Sequence, residues 1–453
     1  MKPPTSSPRK MSRVSVCVLP LALTMSGCFL FTPPDVSEDE FDMSAPPSMD
    51  QGMEEEEDQS IALDHASADA SMDMPEASAD LDQGAVTQDM PPAPPADWQA
   101  IEHTHRVRLS PHQDLALPDE ELVVLVRLDS QRIDFELLAP QGKDLLFVSN
   151  DGAELSHEVE FFSKELERAD IWVKYPAPKT AEPSPIWMYF GEPSPRDKQD
   201  PEGLWANYEV VHHFSRFDPE TQFPQDTSEH EAHPYRQSEG LLFELEGISG
   251  LAPRFRKDEE DFIRFHKDLQ LGTGFGEQRV YELWFKADTI AVLEGMPLAL
   301  VADEGSCRGF SAFYGDGGNP LTVSARLFYA TDEASGCESM ERGTEYISYR
   351  DTSAETWHHL ALVIDRPDSR FEVWIDGTRD LPHSIKTSVP QNAFTLGYEL
   401  MLGHSFVPTA RSFIGVLDEF RVWNGVRSEA WFMIQDRIGR DQFFIYGQPQ
   451  SWK

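Results

Sequence analysis

Trp357-His-His-Leu-Ala-Leu-Val-Ile-Asp365, followed closely by Phe371-Glu-Val-Trp-Ile-Asp-Gly377, is the stretch that decides the fold. Both runs have strand length and are rich in aliphatic, β-branched and aromatic residues. The second alternates and then meets Asp376-Gly377, a strong hairpin signal. Outward from this pair the same grammar repeats. Apolar runs of strand length lie at 210–214, 240–245, 262–266, 279–286, 310–314, 323–329 and 412–423, separated by Gly, Pro, Asp and Asn. A short helix is predicted over 428–438, with Ser428 as N-cap and Glu429 in the first turn. Many antiparallel strands over this length point to a two-sheet sandwich or jelly roll.

Upstream lies a second β-rich module. Strands are predicted at 121–128, 144–148, 158–162, 171–175 and 186–190, and order begins near Trp98. Pro193, Pro195 and the charged run 196–202 mark its end. The fold class is therefore all-β, with a smaller β-rich module at 98–202 and the jelly roll at 203–447.

Before Trp98 the composition changes completely. Residues 29–97 hold nineteen acids and no Lys or Arg, in a chain of 453 residues with a formal charge of -41. Such a segment cannot bury enough apolar surface to offset its ordering, so 28–97 reads as a disordered acidic linker. As a flexible coil it spans on the order of 45 Å, and charge repulsion extends it further. The strongly anionic chain repels phosphate backbones and anionic headgroups, which excludes nucleic acid as an expected partner.

Residues 1–27 read as a targeting segment: Lys2, Arg9, Lys10 and Arg13, then an apolar run from Val14 to Met25. Met25-Ser26-Gly27-Cys28 resembles a lipobox, in which the Cys thiol is acylated and becomes the first residue of a bacterial lipoprotein. Met25 departs from the usual Leu. Several acyl chains on Cys28 would anchor the chain far more firmly than one. Phe29 follows, so the Asp of the inner-membrane retention signal is missing and the outer membrane is the expected location, facing the periplasm or the exterior. Of the four Cys, Cys17 leaves with the signal, and Cys307 and Cys337 remain as a pair. In an exported protein a disulfide between them is the natural reading. Two free thiols or a metal pair rank lower, because no further Cys completes a site.

Specific strings then resemble known families. Trp357–Asp365, 371–377 and Gly415-Val-Leu-Asp-Glu-Phe-Arg-Val-Trp423 resemble, in order, the late strands of LamG-like, concanavalin A-like jelly rolls. Glu282-Leu-Trp-Phe-Lys-Ala-Asp288 and Val211-His-His-Phe214 resemble earlier segments of that family. Asp144-Leu-Leu-Phe-Val-Ser-Asn-Asp-Gly152, His157-Glu-Val-Glu160, Ile171-Trp-Val-Lys174 and Trp187-Met-Tyr-Phe-Gly191 resemble a bacterial domain of unknown function that often precedes LamG-like modules. The first resemblance implies a glycan or cell-surface protein as partner, by analogy of fold. It also implies calcium at a rim. Asp303, Glu304 and Asp316 are the candidate ligands, although in so acidic a chain solvated loop acids are the favoured reading of them, since no fixed ligand spacing is visible.

Catalytic motifs fit the sequence less well. Glycanases of this fold alternate acids as E-x-D-x-x-E along one strand, whereas adjacent Asp418 and Glu419 are expected to face opposite sides. His230-Glu-Ala-His233 has the wrong spacing for a zincin helix. Adjacent His212 and His213 are expected on opposite strand faces. Gly272-Thr-Gly-Phe-Gly276 lacks the helix that would make it a phosphate loop. Trp172, Trp284 and Trp423 are expected in the core. The expectation is a non-catalytic binding or adhesion lipoprotein; a structural envelope component and a polysaccharide-acting enzyme are the alternatives.

Overall fold

The structure, a computed structural model, describes residues 103–180, 182–256, 259–265, 278–289, 296–302, 309–316, 319–328, 344–347, 352–365, 367–368, 370–380, 399–404 and 412–451. The signal segment, Cys28, the acidic linker to 97, Asp303, Glu304, Cys307, Cys337 and the 272–276 glycines lie outside these residues. Of Asp316 only the backbone is described, at the end of the Gly309–Asp316 strand opposite Asn319.

All described strand pairs are antiparallel, and two sheets build a jelly roll. One has eight strands, in the order Leu242–Glu244, Ala252–Phe255, Gly415–Asn424, Gln278–Ala287, His358–Asp365, Arg370–Ile375 and Thr378–Arg379, with Tyr208–His212 also on Gly415–Asn424. The other has seven, in the order Thr344–Ile347, Asn319–Phe328, Gly309–Asp316, Met296–Ala302, Glu399–Leu402, Ile263–Phe265 and Pro234–Gln237. Period-two alternation drives their packing. Tyr281, Leu283 and Phe285, with Leu360, Leu362 and Ile364, point inward from the eight-stranded sheet. They meet Phe310, Ala312, Tyr314, Val323, Leu400 and Leu402 from the seven-stranded sheet.

The outer face of the eight-stranded sheet is apolar as well, through Val211, Val280, Ala361, Val363 and Trp374. This explains why His358–Asp365 reads as a nearly continuous apolar run: both of its faces are covered. The helix Glu429–Gly439 covers part of that face, with Phe432 stacked on Trp374 at 4.7 Å. Ser428 caps it, accepting the Trp431 N–H at 3.2 Å. The Asp-Gly turn forms as read, because Ile375 pairs with Thr378 and both loop residues have positive φ, 49° at Asp376 and 68° at Gly377. Glycine is required there for a second reason, since a Cβ on Gly377 would come within 3.0 Å of the Met433 backbone in the helix.

The first module is also a sandwich. A three-stranded sheet, Leu122–Asp129, Arg168–Tyr175 and His157–Ser163, faces a six-stranded one built on His105–Pro111, Ile186–Phe190 and Leu146–Ser149. Two strands of the larger sheet come from the far end of the chain. Phe444–Tyr446 and Gln450–Ser451 both pair with His105–Pro111. Phe443 and Phe444 bury their rings edge-on against Tyr175, at 5.3 and 6.1 Å. The jelly roll is thus threaded between parts of the first module. Truncating the returning segment tests this: Phe444→Ala should cost about 3 kcal/mol of stability in denaturant titration, the usual cost of emptying a buried aromatic site.

A sealed charge cluster at the module junction as the candidate functional site

The three-stranded sheet is covered on both faces. Along Arg168–Tyr175, Tyr175 points into its own sandwich, while Trp172 points to the jelly roll and stacks on His213, ring centroids 5.9 Å apart. On His157–Ser163, Glu158 and Glu160 share the Trp172 side, although Glu160 is the extra residue of a register shift against Arg168–Tyr175. The Trp172 indole donates to Glu160 and the Trp205 indole to Glu158, each at 2.7 Å.

The jelly roll answers with its own charges. Expected on opposite faces, Asp418 and Glu419 instead both face the junction, because the strand carries a bulge. Glu282 pairs with Arg421 and Trp284 with Asp418, so one residue on Gln278–Ala287 opposes two on Gly415–Asn424. Glu419 takes up the extra residue with φ 50°, outside the range a bulky side chain adopts readily. Leu417 and Phe420 keep the inward face on either side of it. The bulge falls where the neighbouring edge changes hands: Ala252–Phe255 pairs up to Val416, and Tyr208–His212 begins at Phe420. In that gap the Ser249 amide donates to Asp418 at 3.2 Å.

His212 and His213 do face opposite ways. His212 packs against Phe265 inside the jelly roll, whereas His213 points out, with Nδ1 2.9 and 3.0 Å from the two Glu419 oxygens. His213 Nδ1 is also 3.5 Å from Glu160, and its Nε2 3.6 Å from Glu158. Arg421 pairs with Glu419 through Nε at 3.1 Å and through Nη2, and lies over the Trp172 ring at 4.1 Å. Arg216 reaches across to Glu158 at 3.0 Å and to the Val159 carbonyl at 3.1 Å. Next to this group the fully buried Asp170 takes Arg127 at 3.1 Å, Arg168 at 2.6 Å and the Gly250 amide at 3.1 Å. Gly250 sits so close that a Cβ there would lie 2.2 Å from the Ser215 hydroxyl. That hydroxyl in turn donates to Glu160 at 2.8 Å.

Four carboxyls, one imidazole and one guanidinium are therefore enclosed together, all nearly out of solvent. Burial opposes ionisation of every one of them, so the cluster sorts its charges. Burial, then the neighbouring Glu419 charge, push Glu160 up to about 8. Burial, then Glu419 and Glu160, raise Asp418 well above the ordinary Asp value. Burial alone would neutralise His213, but the Glu419 and Glu160 carboxyls hold it well above its usual value. Glu419 stays low despite burial, because His213 and Arg421 both stabilise its charge. Glu160 and Asp418 are thus shifted toward their neutral forms, and Glu419 and His213 toward their charged ones. Removing one partner of such a group leaves a buried charge uncompensated, at a cost of roughly 3–5 kcal/mol.

Among the described residues, Glu160, His213 and Glu419 form the group able to hold a metal ion, with their donor atoms all within 4.8 Å of one another. The other candidate histidines are not brought together: His230 is exposed beside Glu229, and His233 accepts the Asp226 amide at 2.9 Å. Trp172 and Trp284 are buried, though both lie on the outer side of their sheets, Trp172 on His213 and Trp284 under Gly439. Trp423 is only partly buried, between Arg427 and Tyr208.

In the sequence alone Glu158, Glu160 and Arg421 carry no assigned role. The available signals were Glu-x-Glu within a strand, and the apolar positions Leu417, Phe420 and Val422, whose spacing of three then two betrays the bulge.

Comparison with known proteins agrees with this architecture. Residues 280–431 match the family described as the concanavalin A-like lectin/glucanases superfamily. Residues 141–229 match a domain of unknown function, DUF2341. No curated protein matches the chain. Similar solved structures include the binding domain of botulinum neurotoxin DC in complex with rat synaptotagmin II, 11% identical with a TM-score of 0.38, covering 51% of each chain. Another is domain 4 of AbnA, an extracellular arabinanase from Geobacillus stearothermophilus, in complex with arabinotriose. It is 17% identical with a TM-score of 0.33, over 43% of this chain and 80% of that one. The chain spans about half the length of the toxin-domain structure it resembles.

The ionisation pattern sets the pH response of the metal-free protein. Glu160 is raised, so its stabilising contribution is complete below its unfolded value near 4.5 and is lost as pH climbs through about 8. His213, also raised, adds a loss above its unfolded value near 6.5. With chelator present, melting temperature should fall from about pH 5 to pH 8, and Glu160→Gln should flatten that fall. An unchanged slope in the variant would count against the assignment.

Proposed function

We propose that this chain is a non-catalytic binding protein, tethered to the outer membrane by acyl groups on Cys28, whose concanavalin A-like sandwich holds a glycan or a cell-surface protein. One observation carries the reading. The outer face of the eight-stranded sheet is covered at the junction: His213 lies against Glu158 and Glu160 and Arg421 over Trp172 of the first module, while Trp374 and Trp284 are covered by the helix Glu429–Gly439. Glu419 is bound by both His213 and Arg421. The first module therefore acts as a rigid mount on one face, and recognition falls to the seven-stranded sheet and the loops around it. Concanavalin A-like folds serve many roles, so the glycan-or-protein choice rests on analogy. The acidic linker fits this role, because a mount on a coil of such length places the sandwich tens of ångströms from a bilayer.

Two measurements test the proposal. The purified protein should give hits above background on a glycan or cell-surface protein array; a blank array would favour the structural-component reading, and glycan turnover lost in Glu419→Gln would favour an enzyme. Cys28→Ser should release the protein from the membrane fraction into the soluble one, and full retention would remove the anchor from the proposal.

A further inference from the structure

We propose that the junction cluster is a structural metal site, in which one first-row divalent cation, zinc by ligand chemistry, is held by Glu160, His213 and Glu419. The three donors come from three separate segments, one in the first module and two in the jelly roll, so the ion would bridge the modules. Their spacing suits it. Ligands about 2.0–2.2 Å from a tetrahedral ion lie roughly 3.3 Å from each other. His213 Nδ1 stands 3.0 Å from Glu419 Oε1 and 3.5 Å from Glu160 Oε2.

Charge and hydrogen bonding leave room for the ion. Both Arg421 contacts go to Glu419 Oε2, so Oε1 has only the imidazole as neighbour and can turn to a cation without breaking the guanidinium pair. Asp418, which accepts the Glu419 amide at 2.8 Å, adds a further carboxyl beside these ligands. With His213 neutral as a ligand, Arg421 is the remaining cation beside the four carboxyls, so a divalent ion would balance the cluster with one of the acids still protonated.

A mixed imidazole and carboxylate donor set suits zinc, with manganese next, and suits calcium poorly. The cluster is closed, so the ion would enter during folding and not by diffusion into the finished protein. Binding would replace protons on the acids, so affinity should rise with pH.

The experiment refolds the full chain with and without zinc chloride, removes loose metal by gel filtration, and measures metal content and melting temperature. One zinc per chain and a melting temperature raised by roughly 5 °C are expected, since an ion bound only by the native state must stabilise it. Glu160→Gln keeps the shape and hydrogen-bonding capacity of a protonated acid and so should fold. It should lose both the metal and the thermal shift. His230→Ala should lose neither, which separates the cluster from adventitious binding at exposed histidine. Wild-type protein that refolds with no retained zinc or manganese and an unchanged melting temperature would overturn the proposal, as would full retention of the metal in Glu160→Gln.

Discussion

The body of this protein turns on one imidazole placed where water cannot reach it. His213 sits among four carboxyls supplied by two modules, and none of them is stable there without the others. Apolar surfaces such as Val211, Val280 and Val363 tolerate sliding, because burial is roughly proportional to area and indifferent to register. Enclosed charges do not. A shift of the three-stranded sheet by one residue would exchange Trp172 for a neighbour of opposite facing, taking from Arg421 its ring and from His213 the carboxyls of Glu158 and Glu160. The apolar contacts supply most of the attraction, and the charged ones fix a single arrangement.

The bulge at Glu419 makes this possible. A regular strand would deliver either Asp418 or Glu419 to the junction, and the other into the jelly-roll core, where an acid has no partner. One additional residue turns both outward and restores the inward series at Phe420 and Val422. The unfavourable φ at Glu419 is the local cost, held in place by the hydrogen bonds on either side.

Much of the fold could be read in the sequence, and the parts that could not share a physical cause. Strands with strong apolar content, such as Gln278–Ala287 and His358–Asp365, were evident, as were the Asp376-Gly377 hairpin and the Ser428 cap, since each depends on residues within a few positions. His105–Pro111 was missed because it mixes His, two Arg and Ser and ends in Pro, and because its partners Phe444–Tyr446 lie beyond the jelly roll. Likewise Trp172 was correctly read as buried, but the sequence holds no record of which surface buries it. The cluster escaped for the same reason. Adjacent acids were judged by strand alternation, and the bulge that overrides alternation is a property of the pairing between two strands and not of one.

The return of the last strands to the first sheet bears on how the chain reaches its native state. Arg106 and Gln450, hydrogen-bonded in the six-stranded sheet, are separated by 344 positions. Closing so long a loop costs little more than closing a moderate one, because the entropy grows only logarithmically. Its kinetic weight is larger, since pairings remote in sequence form slowly and leave strand edges bare while they wait. During stepwise delivery of the chain from its amino end, His105–Pro111 would emerge early and lack its outer neighbours until residues 444–451 followed. The jelly roll, whose own contacts are complete by 439, would then serve as the template that brings the two ends together.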